Sequence, residues 1–181
     1  MYYEEKTMKS ERLYEGRIIN LRVDTVELPN RKYSRREIVE HSNSVLIIPI
    51  LDDEYTLLVK QFRKAVDKVI LEFPAGLIDS GEDPSEAALR ELQEEVGYSA
   101  NKLNYIYDAY SSPGFTNEKV SIFLAEDLYE SKLENDEDEF LEIVKIKIDD
   151  LIDMLHNYEI SDAHTIIGIQ YLENRRLMSN A

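Results

Sequence analysis

The 181-residue chain contains no cysteine, which excludes disulfides and thiolate metal centres. It has no uninterrupted apolar run of about 18 residues, so nothing reads as a membrane-spanning helix. Basic residues are scarce: 21 Lys and Arg stand against 37 Asp and Glu, a formal net charge of −16. That balance argues against non-specific nucleic-acid binding, which needs a positive field. It leaves a phosphate ligand open, provided metal ions stand between it and the carboxylates. The three histidines, His41, His156 and His164, have no partner at ligand spacing and read as structural or surface groups. The N-terminal "MYYEEKTMKSERLYEG" lacks the basic-then-apolar order of a signal peptide. There is no internal repeat, no serine-nucleophile motif and no phosphate-binding glycine loop opening a helix. These absences favour a cytoplasmic enzyme or binding protein, built as one domain with a small appendage.

What the chain does have is 43% apolar residues, enough for a real core. Residues 1–10 read as a loose tail. Strand-like runs follow in "GRIINLRVDTVEL" and "SRREIVEH", separated by the turn-rich "PNRKY". "NSVLIIPIL" is nearly all apolar and fits a buried central strand; "YTLLVKQF" fits its partner. "VILEF" is a short strand ended by Pro74 and Gly76. Ser80 or Asp83 caps a helix with Pro84 in its first turn, and Gly97 stops it. "KLNYIYDAYSS", "KVSIFLAEDL" and "EFLEIVKIKI" are further strands. "DDLIDMLHN" and "AHTIIGIQYLENRRLM" are the last helices. This order predicts an α+β fold.

The central helix is unusual in its charge. At about 100° per residue, Ala88, Leu89, Leu92 and Val96 share one side. Glu91 and Glu95 lie stacked at the edge of that stripe, and Glu94 sits about 60° further round. Arg90 offsets part of the repulsion through Glu86 and Glu94. Two readings remain open on geometry alone. The acids form a solvated face, or they supply converging oxygens for a hard divalent cation. Gly76 and Gly81 let the preceding "FPAGLIDSGE" bend close to a ligand.

The stretch Gly76–Tyr98 resembles the Nudix box, G-x5-E-x7-R-E-U-x-E-E-x-G-U, with U a bulky aliphatic. Gly76, Glu82, Arg90, Glu91, Leu92, Glu94, Glu95 and Gly97 match at the required spacing, and Tyr98 replaces the final aliphatic. The resemblance implies a Nudix fold, a mixed sheet sandwiched between helices, with a small N-terminal antiparallel β-sheet. It implies Mg²⁺, or alternatively Mn²⁺, held by Glu91, Glu95 and the Ala75 carbonyl. Glu94 would ligate an ion or orient a ligand water, and Glu82 and Arg90 would tie the loop to the helix.

Beyond the box, "REIVEH", "VKQFR" and "LEFPAGLID" look like the ADP-ribose pyrophosphatase branch. So does Pro113, sixteen residues after Gly97 in "SSPGFTNE". The resemblance assigns substrate binding to Arg63, Arg36, Pro113, Gly114 and Glu118. It puts the water-activating glutamate at the end of the acidic run "ENDEDEF", with Glu139 the first choice, Glu137 the second and Glu142 the third. The expected activity is Mg²⁺-dependent hydrolysis of ADP-ribose to AMP and ribose 5-phosphate. The alternatives are hydrolysis of another nucleoside diphosphate derivative, such as a nucleotide sugar or dinucleotide, or a non-catalytic ADP-ribose sensor. The expected division is an N-terminal β region, 1–42, and a hydrolase domain, 43–181. Residues 13–41 hold too few aliphatic side chains for a closed core. The branch exchanges this region between two subunits, so a homodimer is expected, with no nucleic-acid or membrane partner.

Overall fold

The computed structural model describes residues 3–52, 54–134 and 140–179. The chain divides into two compact units, Met1–Asn43 with Ala109–Val120, and Ser44–Asp108 with Ser121–Ala181.

The first unit is a three-stranded antiparallel sheet in the order β1-β2-β3. Its strands are β1 (Lys6–Glu15), β2 (Ile19–Glu27) and β3 (Tyr33–His41). Residues 6–10 are therefore strand, where the sequence suggested a loose tail. The reason is visible in β1: every residue of it is exposed. It has no apolar alternation to read, and only its ladder to β2 defines it. Val23 and Val26 of β2 are buried, whereas Leu13, Ile18 and Ile19 are exposed. Segment 109–120 is laced to β3 by its backbone: Val39 N–H donates to Phe115 O (2.8 Å) and Asn117 N–H to Val39 O (3.4 Å).

The second unit is built on a seven-stranded sheet. Its strands are β4 (Ser44–Leu51), β5 (Tyr55–Arg63), β6 (Lys68–Glu72), β7 (Ala75–Leu77), β8 (Tyr98–Tyr110), β9 (Lys119–Glu130) and β10 (Glu142–Lys147). The order is β10-β5-β4-β9-β8, with β6 added to β5 and β7 to β4. Helix α1 (Pro84–Val96) packs on β4, β5 and β7, and α2 (Ile148–His156) packs on α3 (Ala163–Ser179).

The continuous apolar run of β4 follows from burial on both faces. Val45 and Ile47 join Leu57, Val59, Phe123 and Ala125 under Ala87, Ala88, Leu92 and Val96 of α1. On the other face Ile48 lies with Phe73 against Gly168 of α3. β7 is a strand that the sequence did not announce. Three residues after a proline carry no periodic signal. They become a strand because Val45 pairs with Gly76 and Leu46 with Ala75 across the ladder to β4.

Candidate active site

Local chemistry fixes the helix that carries the acidic residues. Asp83 is its N-cap, accepting from Ser85 N–H at 2.8 Å, and Pro84 enters the first turn, where its missing N–H costs nothing. Gly97 ends it in a left-handed conformation, φ 77°, its N–H returning to Leu92 O; other residues resist that φ. Tyr98, the departure from the motif, is half-buried against the α1 core, so the change is one of packing.

Glu91 and Glu95 are both buried, 8% and 4% exposed. Ala75 N–H donates to Glu95 Oε2 at 3.0 Å. A Cβ on Gly76 would overlap the Glu91 carboxyl group, so glycine lets β7 pass this close with that carboxylate in place. Arg90 organises the rest. Its Nε and Nη2 donate to the two oxygens of Glu82 (2.9 and 3.0 Å), and Nη2 also to Leu77 O (2.9 Å). Its Nη1 donates to Glu91 Oε1 (2.7 Å) and Glu94 Oε2 (2.9 Å). The arginine thus turns to Glu82 and Glu91, where helical spacing suggested Glu86; the loop brings Glu82 closer than the spacing could reveal. Glu82 also accepts from Asp79 N–H at 2.9 Å. This stitches loop to helix, as expected of Glu82 and Arg90. The Arg90 guanidinium holds the Glu82 carboxyl below the usual carboxylate range, although burial opposes this. Arg90 itself is pushed well above the usual arginine range, chiefly by Glu82.

Three carboxylates, Glu82, Glu91 and Glu94, therefore share one guanidinium, while Glu95 accepts from the Ala75 amide. Among the described residues, no group of three or more acidic or histidine side chains already stands as a ligand set around one point. Arg90 and the Ala75 amide occupy carboxylate oxygens that a cation would take. The donor chemistry is nevertheless hard oxygen throughout, and Glu91 and Glu95 put two buried carboxylates one turn apart on α1, the kind of ligand a hard divalent cation takes. The residues fit a divalent cation.

Arg63, at the end of β5, is bound by Glu72 of β6. Its Nε lies 3.1 and 2.9 Å from the two carboxylate oxygens and its Nη2 2.6 Å from Oε2. Burial works against the arginine's charge, but Glu72 more than offsets it and the pKa rises. Arg63 also lies within charge–charge range of Glu95 and Asp162. Glu72 was missed by the sequence reading. Its signal is present in retrospect: in a β-hairpin, Glu72, Ile70 and Lys68 alternate onto the same face as Val59, Gln61 and Arg63.

The other candidates fall elsewhere. Glu142 is on β10, its side chain 71% exposed and 3.1 Å from Lys60 Nζ. Glu137 and Glu139 lie outside the described residues. In the first unit, Pro113 and Gly114 form a turn in which Thr116 N–H donates to Ser112 O at 3.0 Å. Glu118 lies 3.5 Å from His41 Nδ1. Arg36 grips Glu5 through Nε (2.8 Å) and Nη2 (2.5 Å) and reaches Ser34 Oγ (2.9 Å). Ala75, Glu91, Glu94 and Glu95, with Arg63 in range, thus form one group in the second unit. Pro113, Gly114, Glu118 and Arg36 belong to the first.

The NUDIX domain model covers residues 40–166, and a nucleoside diphosphate sugar hydrolase N-terminal domain model covers residues 5–39. The chain is 46% identical over 172 residues to the ADP-ribose pyrophosphatase of Bacillus subtilis, spanning 94% of this chain and 93% of that protein. It is 41% identical over 175 residues to the methanol dehydrogenase activator of Bacillus methanolicus, spanning 94% of each. A crystal structure of an ADP compounds hydrolase superposes with a TM-score of 0.86 at 28% identity, covering 98% of this chain and 96% of that one. The chain belongs to the Nudix hydrolase family and is a Nudix pyrophosphohydrolase.

Proposed function

We propose that the protein hydrolyses ADP-ribose to AMP and ribose 5-phosphate with a divalent cation, Mg²⁺ in the first instance and Mn²⁺ as the alternative. The observation that carries this reading is the buried pair Glu91 and Glu95, seated against Gly76 and the Ala75 amide, with Arg63 in range. Glu91, Glu95 and the Ala75 carbonyl would hold the metal, and Glu94 would ligate or orient a water. A bound divalent cation supplies charge neutralisation at the diphosphate and acidifies a coordinated water. The chain supplies the rest. Arg90 and Glu82 keep loop and helix in register, so the backbone carrying Ala75 and the α1 carboxylates is set before substrate arrives. Arg63 offers a planar fork suited to phosphate oxygens. Glu139, or failing that Glu137 or Glu142, is the group assigned to take the proton of the attacking water. Pro113, Gly114, Glu118 and Arg36 are assigned to the ribose and base ends of the substrate.

A nucleotide sugar as substrate is the second reading, favoured by the description of the model that matches residues 5–39. We also propose that the active unit is a homodimer formed through the N-terminal region, residues 1–42, and that the 43–181 domain holds the metal. Supporting this, β1 exposes Met8, Leu13 and Tyr14, and a sheet with one apolar face needs a partner surface. Sedimentation at micromolar protein tests this: a single 21.1 kDa species would contradict it.

Product analysis decides the substrate. Purified protein with Mg²⁺ and ADP-ribose should yield AMP and ribose 5-phosphate. Intact ADP-ribose beside cleaved UDP-glucose would favour the nucleotide-sugar reading. Binding of ADP-ribose without any product would favour a sensor.

A further inference from the structure

The position of Glu72 is not explained by the metal chemistry. It is 7% exposed, and a carboxylate so deep in a sheet costs several kcal/mol unless it is paired. An apolar residue would fill the end of β6 more cheaply. The pairing it makes is directional. Both its oxygens are taken by the Nε and Nη2 edge of Arg63. Among the described residues, no hydrogen bond or ion pair uses Arg63 Nη1, which carries two further N–H donors.

The chain that follows Glu72 is fixed residue by residue. Phe73 N–H donates to the buried Thr165 Oγ1 at 3.0 Å, Pro74 O accepts from Ile47 N–H at 2.9 Å, and Ala75 N–H donates to Glu95 at 3.0 Å. Thr165 is itself held at the start of α3, where its N–H donates to Asp162 Oδ2 at 2.7 Å. A short rigid segment therefore connects the carboxylate that grips Arg63 to the backbone that grips Glu95. We infer that Glu72 is a positioning residue: it holds one edge of Arg63 so that the Nη1 edge is aimed at the substrate diphosphate at a set distance from the α1 carboxylates. This rests on the proposed diphosphate hydrolysis, in which Arg63 contacts phosphate. Without Glu72, a long side chain with several rotatable bonds would have to be ordered by the substrate itself, and misplacement on the scale of 1 Å costs on the order of a hundredfold in rate.

The test is a double-mutant cycle on the full-length protein with Mg²⁺. Glu72→Gln, close in shape but uncharged, should lower kcat/KM for ADP-ribose by about tenfold to a hundredfold. In an Arg63→Ala background the same change should cost less than about twofold, because nothing remains to position. Equal losses in the two backgrounds would overturn the proposal and leave Glu72 a merely structural residue. Should Glu72→Gln fail to fold, Arg63→Lys asks the question from the other side. An ammonium keeps the charge but cannot bind the carboxylate along one edge and present another. A lysine enzyme within twofold of wild type would overturn the idea, and a loss approaching that of Arg63→Ala would support it. The substrate reading fails separately: a wild type that spares ADP-ribose but cleaves UDP-glucose sinks that reading only, and the cycle is then measured on UDP-glucose, whose diphosphate poses the same demand.

Discussion

Helix α1 and strand β1 are both rich in charge, and they use it in opposite ways. In α1, Glu91 and Glu95 are buried, Glu94 is partly so, and one guanidinium bonds Glu82, Glu91 and Glu94 at 2.7 to 3.0 Å. In β1, Lys9 pairs with Glu11 at 2.7 Å and Arg12 with Glu15 at 3.7 Å, yet every residue is exposed. Exposed pairs trade solvation for contact at little net gain. Buried carboxylates persist only where something compensates them, and such places are where function concentrates. The lesson is that neither the number of charges nor the presence of ion pairs marks the site. Burial of like charge along one helix face is the better guide.

The comparison can be broken by substitution, starting where the effect should be greatest. Glu95→Gln keeps the shape of the side chain but removes its charge. Turnover should fall by roughly two decades or more while circular dichroism stays that of the wild type. An enzyme retaining half its turnover at saturating Mg²⁺ would return α1 to the status of β1, a solvated face. Gly76→Ala comes next. The added methyl meets the Glu91 carboxyl group, so either the carboxylate or β7 must shift. Activity should drop by about tenfold or more, with a stability loss of about 1–3 kcal/mol. Gly97→Ala sharpens the point from the structural side. It forces a Cβ into a left-handed cap and should cost about 1 kcal/mol with kcat nearly unchanged.

Glu82 gives a pH signature. Its carboxyl titrates below the ordinary 4.5, principally because Arg90 bonds it. Its contribution to stability is therefore complete above the unfolded value and disappears as pH falls through the lower folded value. The stability gap between wild type and Glu82→Gln should be full at pH 7, narrow below about pH 4.5 and close in stronger acid. A gap that widened on acidification would contradict the pairing. Lys9→Ala is the smallest expected effect. The Lys9–Glu11 pair is exposed on both sides, and thermal unfolding should not move measurably.

The same contrast explains which features the sequence made legible. The stop of helix α1 at Gly97 was legible and its start was narrowed to Ser80 or Asp83, of which Asp83 is the cap, because caps are local chemistry and the carboxylates carry a fixed spacing. β4 was legible as a continuous apolar run. β1 was not, because an exposed strand has no alternation, and β7 was not, because three residues become a strand only through a distant ladder. The motif resemblance tied Arg90 to Glu82 where helix spacing alone pointed to Glu86, but the pairing of Arg63 with Glu72 depends on a hairpin closing in space. Glu5, which occupies Arg36, was invisible for the same reason: the two meet only across the sheet.

The proposed chemistry depends on the α1 carboxylates forming a divalent-cation site. It is tested most directly by titrating Mn²⁺ into wild type and into a Glu91→Gln, Glu95→Gln double variant, following free Mn²⁺ by electron paramagnetic resonance. Wild type should deplete the free-ion signal, Mg²⁺ should restore it by competition, and the double variant should leave it undepleted at the same concentrations. Equal depletion by both proteins would place the cation elsewhere and contradict the account.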